Sequence, residues 1–137
     1  MASILKVDEL RGIVSAGDIT VTSEGGAATQ SLQQGLAKAF ACLRGGNTNS
    51  FGLNQSFNVA SATDHGTGDY SINFINNFNY NEISTTALAQ NQGSGNRLYA
   101  SMNANGAASA ARVATFNESG STFDCDQVNF AVHGDLA

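Results

Sequence analysis

Residues 57–74 read FNVASATDHGTGDYSINF, and this stretch decides the fold class. Phe57 and Val59 alternate with Asn58 and Ala60; after a gap, Tyr70, Ile72 and Phe74 alternate with Ser71, Asn73 and Ile75. A period of two places successive side chains on opposite faces of a strand. Between the two runs, residues 63–69 collect Thr, Asp, His and Gly, the residues that turn a chain. Two alternating runs joined by a glycine-bearing loop predict an antiparallel hairpin.

Toward the C-terminus the theme repeats. Residues 80–88 lean to β structure through Ile83, Thr85 and Thr86. A loop over 91–96 leads to a strand over 97–102, and Asn105-Gly106 is the strongest hairpin-turn dipeptide in the chain. A strand over 111–116, a turn over 118–122, and Val128, Phe130 and Val132 on one face of a last strand complete the pattern. Turns about every 8–12 residues mark an all-β sandwich or barrel. The expectation is a mainly β protein whose residues 47–137 form an antiparallel, sandwich-like head. Six strands follow residue 50, with Phe57, Tyr70, Ile72, Phe74, Phe116, Val128, Phe130 and Val132 facing the core.

Residues 1–46 read differently. Three short apolar clusters (Ile4-Leu5-Val7, Leu10-Ile13-Val14, Ile19-Val21) are split by charged or glycine-bearing breaks. A helix is expected over 29–40, striped by Leu32, Leu36, Ala39 and Phe40 and ended by Gly45-Gly46. With Gly35 in its middle such a helix is marginal alone, because nucleation is unfavourable and Gly costs about 1 kcal/mol relative to Ala. The segment needs a surface, and another subunit is the simplest source. Residues 1–46 are therefore expected to form, from short strands plus one short helix, an intertwined attachment and oligomerisation segment, with Leu32, Leu36 and Phe40 at the subunit contact.

Charged residues make up 12% of the chain, about half the ~25% usual for soluble domains. Polarity comes instead from Asn, Ser, Thr and Gly. Proline is absent, so turns fall to Gly, Asn and Asp. A net charge of −5 and six scattered basic residues argue against nucleic acid. No apolar run approaches the ~20 residues of a membrane helix, and Met-Ala-Ser-Ile-Leu-Lys does not read as a signal peptide. Synthesis and assembly in a cytoplasm follow as an expectation, and with them Cys42 and Cys125 as free thiols. Cys125 lies between Asp124 and Asp126, where a thiolate is disfavoured.

Chemistry-bearing clusters read as structural. Asp64, His65 and Asp69 suggest a metal site, but an Asx turn explains them better, and they lack the spacing of a calcium loop. His133 and Asp135 suggest a dyad, without the elbow motif of a serine hydrolase. Nothing fixes Glu82, Glu118 and the aspartates as a glycosidase pair. The expectation is a non-enzyme without cofactor or metal. Asn96, Arg97 and Tyr99, with Asn103 and Asn105 at the next turn, are the candidates for receptor contact. An aromatic face stacks on a sugar ring while Arg and Asn supply directional donors; a plain hairpin tip is the bland alternative.

Several stretches resemble a known group. They are residues 2–8 (ASILKVD), Glu24-Gly25-Gly26 with residues 32–39 (LQQGLAKA), residues 56–59 (SFNV), Gly66-Thr67-Gly68-Asp69-Tyr70, residues 111–117 and residues 128–135. Together they resemble small tail-fibre or tail-appendage proteins of tailed bacteriophages, many of which infect aquatic bacteria, including cyanobacteria. The resemblance implies a homotrimeric virion structural protein attached to phage tail or baseplate proteins and assembled in the host cytoplasm. Host surface polysaccharide is the expected partner of its distal β domain. The alternative is a purely structural virion adaptor or decoration protein that binds no receptor. A glycan-cleaving enzyme is the third possibility.

Overall fold

The computed structural model describes residues 4–11, 19–23, 25–26, 28–91, 98–102 and 107–136, except for the side chains of Gln33 and Gln34. The chain divides into two compact units, Met1–Leu36 and Ala37–Ala137.

In the first unit a short antiparallel hairpin pairs β1 (Thr20–Thr22) with β2 (Thr29–Ser31), Val21 lying opposite Gln30. The single-turn helix α1 (Leu32–Gly35) follows directly, the Leu32 amide donating to the Ile19 carbonyl at 2.7 Å. Among the described residues of this unit no apolar side chain is buried. Ile4 and Leu5 are each 79% exposed, and Val7, Leu10, Val21 and Leu36 are all more than half exposed.

The helix expected over 29–40 is thus one turn, and the rest of that span is corrected: β3 (Ala39–Arg44) is a strand. Its exposure alternates, with Ala39, Ala41 and Leu43 buried and Phe40 and Arg44 exposed. β3 pairs on both sides, so its backbone groups are satisfied along both edges. A marginal helix cannot compete with that. Phe40 therefore belongs to a sheet and not to a helical stripe with Leu32 and Leu36.

The second unit holds two four-stranded antiparallel sheets. The first has the order β4-β3-β10-β7, with β4 at Gly52–Phe57, β7 at Ser84–Gln90 and β10 at Gln127–His133. The second has the order β5-β6-β9-β8, with β5 at Val59–Gly66, β6 at Asp69–Phe74, β8 at Tyr99–Met102 and β9 at Ala110–Phe116. One apolar cluster draws on both: Ala39, Ala41, Leu43, Val128, Phe130 and Val132 from the first sheet, and Val59, Tyr70, Ile72, Phe74, Ala111 and Val113 from the second. The alternation expected for Tyr70-Ile72-Phe74 and Val128-Phe130-Val132 is present. A hairpin is present too, but its turn is only Thr67-Gly68: residues 63–66 and 69, expected in the loop, belong to the paired strands β5 and β6, and Phe57 belongs to β4.

Among the described residues seven strands follow residue 50 where six were expected, because the chain changes sheets at Asn58. Asn58 is the single residue between β4 and β5 and takes φ of 54°. A left-handed residue is costly for most side chains and least so for Asn among the non-glycines. Asn58 offsets that cost with its own amide. Its Nδ2 donates to the carbonyls of Lys38 and Asn76, each at 3.1 Å, and its Oδ1 accepts the Asn76 amide at 2.7 Å. The corner turns Phe57 outward on the first sheet while Val59 points inward on the second. Phe57, expected in the core, is 56% exposed. Phe116, also expected there, is half-buried.

A buried brace fixes the loops at one end. The Tyr70 hydroxyl donates to the Gly45 carbonyl at 2.5 Å and lies 3.1 Å from Asp124 Oδ1, which also accepts the Gly68 amide at 2.7 Å. Gly68 has φ of +69°, and a Cβ there would lie 2.6 Å from the Thr115 carbonyl oxygen, so only glycine fits. Burial drives the Tyr70 hydroxyl far above its ordinary pKa, reinforced by Cys125 and Asp124. Burial likewise pushes the Cys125 thiol up. Both cysteines are free, Cys125 buried and Cys42 half-buried.

Candidate functional site

The register of the second sheet places a set of polar side chains on its outer face. Residues directly opposite one another in an antiparallel pair share a face. Ser61 faces Asn73, Thr63 faces Ser71, Ser71 faces Arg112, and Ser101 faces Ala114, which in turn faces Asp69. Tyr99 faces Phe116 on the same side. The inward residues between them (Tyr70, Ile72, Val113) supply the core, so the face is held on a rigid base.

Three cross-strand contacts organise this surface. Arg112 grips Asp69 with both arms of its fork, Nε to Oδ1 at 2.8 Å and Nη2 to Oδ2 at 2.6 Å. This bidentate geometry is the strong form of a charge-assisted hydrogen bond. The hydrogen bonds to Asp69 hold the guanidinium above its ordinary pKa. His65 Nε2 lies 2.9 Å from Ser71 Oγ, and Asn73 Nδ2 donates to Ser61 Oγ at 3.1 Å. Ala114, which is buried, and Ser101 lie between the ion pair and Tyr99, which is 56% exposed. Two strand spacings and two residues separate Asp69 from Tyr99, about 12 Å.

Such a surface offers an exposed aromatic ring, a fixed cation-carboxylate fork and several hydroxyls and amides. It suits a polyhydroxylated ligand, for which donors and acceptors must alternate and a ring face must meet an apolar plane. The Asp64-His65-Asp69 cluster has structural duties here. Asp64 Oδ1 accepts the Gly66 amide at 2.9 Å, the Asx arrangement expected from the sequence, and Asp69 is taken by Arg112.

Of the receptor-contact candidates, Tyr99 sits on β8 and belongs to this face. Asn96, Arg97, Asn103 and Asn105 lie outside the described residues. No family model, no curated protein and no solved structure matches this chain. The functional reading therefore stands on the residues themselves. Sequence reading missed Arg112 and Ser71 as members of the face. Their partners are 43 and 6 residues away, Asp69 and His65 respectively, and only the strand register joins them. Alternation in 111–116 was the available signal, since it placed Arg112 opposite to Val113.

Proposed function

We propose that this chain is a structural protein of a phage tail, a fibre or baseplate appendage that acts as a homotrimer and attaches to host-surface polysaccharide. The observation that carries the attachment is the outer face of the β5-β6-β9-β8 sheet, where exposed Tyr99 and the Arg112–Asp69 fork stand on one rigid surface. The phage assignment rests on the resemblance of residues 2–8, 32–39, 66–70 and 128–135 to tail-appendage proteins. The trimer has further support in the first unit, where Ile4, Leu5, Val7, Leu10, Val21 and Leu36 are all exposed.

On this reading the mechanism is adhesive. One shallow site binds a sugar segment weakly, and three copies on a symmetric particle bind together through their high effective concentration. The measurement is binding of the purified protein to immobilised lipopolysaccharide and capsular glycans. Binding that weakens with Tyr99→Ala and with Arg112→Lys supports attachment through this face. Arg112→Lys keeps the charge and removes the fork, so it separates geometry from electrostatics.

A second reading has its own observation. Each polar pair on this face is satisfied within the chain, as a surface evolved only to be soluble also requires. On that reading the protein is a virion adaptor or decoration protein, and it binds no glycan at any concentration. Oligosaccharide release from host envelopes during long incubation would speak for the enzymatic alternative.

A further inference from the structure

We infer that the outer face of the β4-β3-β10-β7 sheet is where copies of this chain meet. The inference rests on the homotrimer reading but not on glycan attachment, since it concerns the opposite sheet.

The rows of this face follow from the register. Phe57, Phe40, Ala131 and Thr86 lie side by side across the four strands; Gln55, Cys42, Asn129 and Leu88 form the next row. The Phe40 and Phe57 rings stack at 6.2 Å with an interplanar angle of 22°. Phe40, Phe57 and Leu88 are nevertheless 44%, 56% and 67% exposed. An aromatic pair, a leucine and two small apolar residues on one flat surface make the kind of patch that soluble monomers avoid.

The chemistry of this face selects its occupant. The chain carries eleven carboxylates and a net charge of −5, yet none of the carboxylates falls on the registered outer positions of these four strands. Two copies repel each other least along this surface. Most of the polar members are amides, Gln55, Asn129, Gln127 and Gln90, joined by the Thr86 and Ser84 hydroxyls and the His133 ring. An amide both donates and accepts, so amide-rimmed faces gathered around a three-fold axis can meet one another without any charge pairing. Arg44, the one permanent charge at these positions, stands at the end of the face with its Nε donating to the Ser50 carbonyl at 3.1 Å.

Size decides how much this face contributes. Four strands by about six residues span roughly 19 Å by 20 Å, or about 400 Å² of flat area per copy. A stable interface takes about 800 Å² from each partner. The sheet face thus supplies about half, and the exposed Ile4, Leu5, Val7 and Leu10 are a second apolar source available to an assembly.

The test measures mass by light scattering across a dilution series, on the full chain and on Phe57→Ser/Leu88→Ser, both of them exposed positions. The wild type is expected at a multiple of 14.1 kDa, three-fold on the homotrimer reading, and the double variant at the single-chain mass. Removing two such side chains from an interface weakens association by roughly 100-fold or more. Thr86→Glu places a carboxylate in the same patch without removing apolar area and is expected to dissociate the assembly, while Thr86→Ser leaves it intact. Tyr99→Ser, on the other sheet, leaves the mass unchanged. If the double variant and Thr86→Glu both keep the wild-type mass, this face is not the contact, and the homotrimer reading survives. A wild type that is monomeric at every concentration overturns both.

Discussion

The two sheets of the second unit have equivalent inner faces and opposite outer ones. Inward, each contributes aliphatic and aromatic side chains to a single core. Outward, the β5-β6-β9-β8 sheet carries an ion pair, an imidazole, hydroxyls and Tyr99, whereas the β4-β3-β10-β7 sheet carries stacked phenylalanines, Leu88 and amides. Both outer faces stand on the same scaffold, so stability does not require them to differ. On the readings proposed above, the difference corresponds to different neighbours: water and a hydrated ligand on one side, protein on the other.

The largest test of that division strikes the base they share. Phe130 on β10 is 3% exposed and lies within the common core. Phe130→Ala is expected to lower stability by about 3–5 kcal/mol, because lost transfer energy and the cavity left behind add. Urea denaturation would read this directly. On the proposed readings glycan binding and assembly should fall together, since neither face survives without its base. A variant that lost stability but kept one face fully active would show that the two sheets are not one cooperative unit.

Next comes the corner that joins the sheets. Asn58→Ala leaves a left-handed backbone without its favoured residue and strips three side-chain hydrogen bonds, for a loss of about 2–3 kcal/mol. Asn58→Gly restores the backbone freedom but not the bonds, so it should lose less than Ala. Equal losses for Ala and Gly would assign the whole effect to the amide.

That corner also explains what the sequence disclosed and what it concealed. Alternation in 70–74 and 128–132 announced strands and their inward residues, because period two survives in any half-buried strand. The outward turn of Phe57 was hidden: Phe57 and Val59 look like neighbours on one face, and only a left-handed Asn58 separates them. Residues 39–44 misled in another way. Leu32, Leu36 and Phe40 satisfy a helical period, while Ala39, Ala41 and Leu43 satisfy a strand period, and small alanines give the second signal little weight. Pairing on both edges of β3 decided between them, and pairing is non-local. The candidate binding face was half legible. Tyr99 stood out by type, but the Arg112–Asp69 fork exists only once β6 and β9 are in register.

The buried brace gives a test sensitive to pH. Tyr70→Phe removes the donor to the Gly45 carbonyl and to Asp124, which should cost about 1–3 kcal/mol. The sign of the alkaline response follows from the raised pKa values of Tyr70 and Cys125. Unfolded, these groups lose protons near their ordinary values, about 10 and 8.5. Folded, they hold them to higher pH. Above those ordinary values the unfolded state binds fewer protons than the folded state, so stability falls as pH rises. Lys38, whose pKa is lowered by burial, contributes with the opposite sign below its ordinary value of 10.5. Denaturation midpoints measured from pH 7 to 10.5 should therefore decline at the alkaline end, and Tyr70→Phe should flatten that decline. An unchanged slope in the variant would remove Tyr70 from the account.

The smallest stability effect belongs to the polar face, and there the comparison is sharpest. Arg112 is 40% exposed at its side chain and Asp69 21%, so solvent screens much of their attraction. Asp69→Asn should therefore leave the denaturation midpoint nearly unmoved, since the amide can still accept one hydrogen bond from Arg112. Its consequence for recognition is different in kind. The carboxylate holds the guanidinium in one orientation, and an amide holds it through one contact instead of two. On the attachment reading Asp69→Asn weakens glycan binding while both mass and stability stay at wild-type values. Phe57→Ser should do the reverse, lowering mass and leaving the single-site sugar affinity alone. If each variant moved both quantities equally, the two faces would be a single surface in function, and the contrast between their side chains would have some other cause.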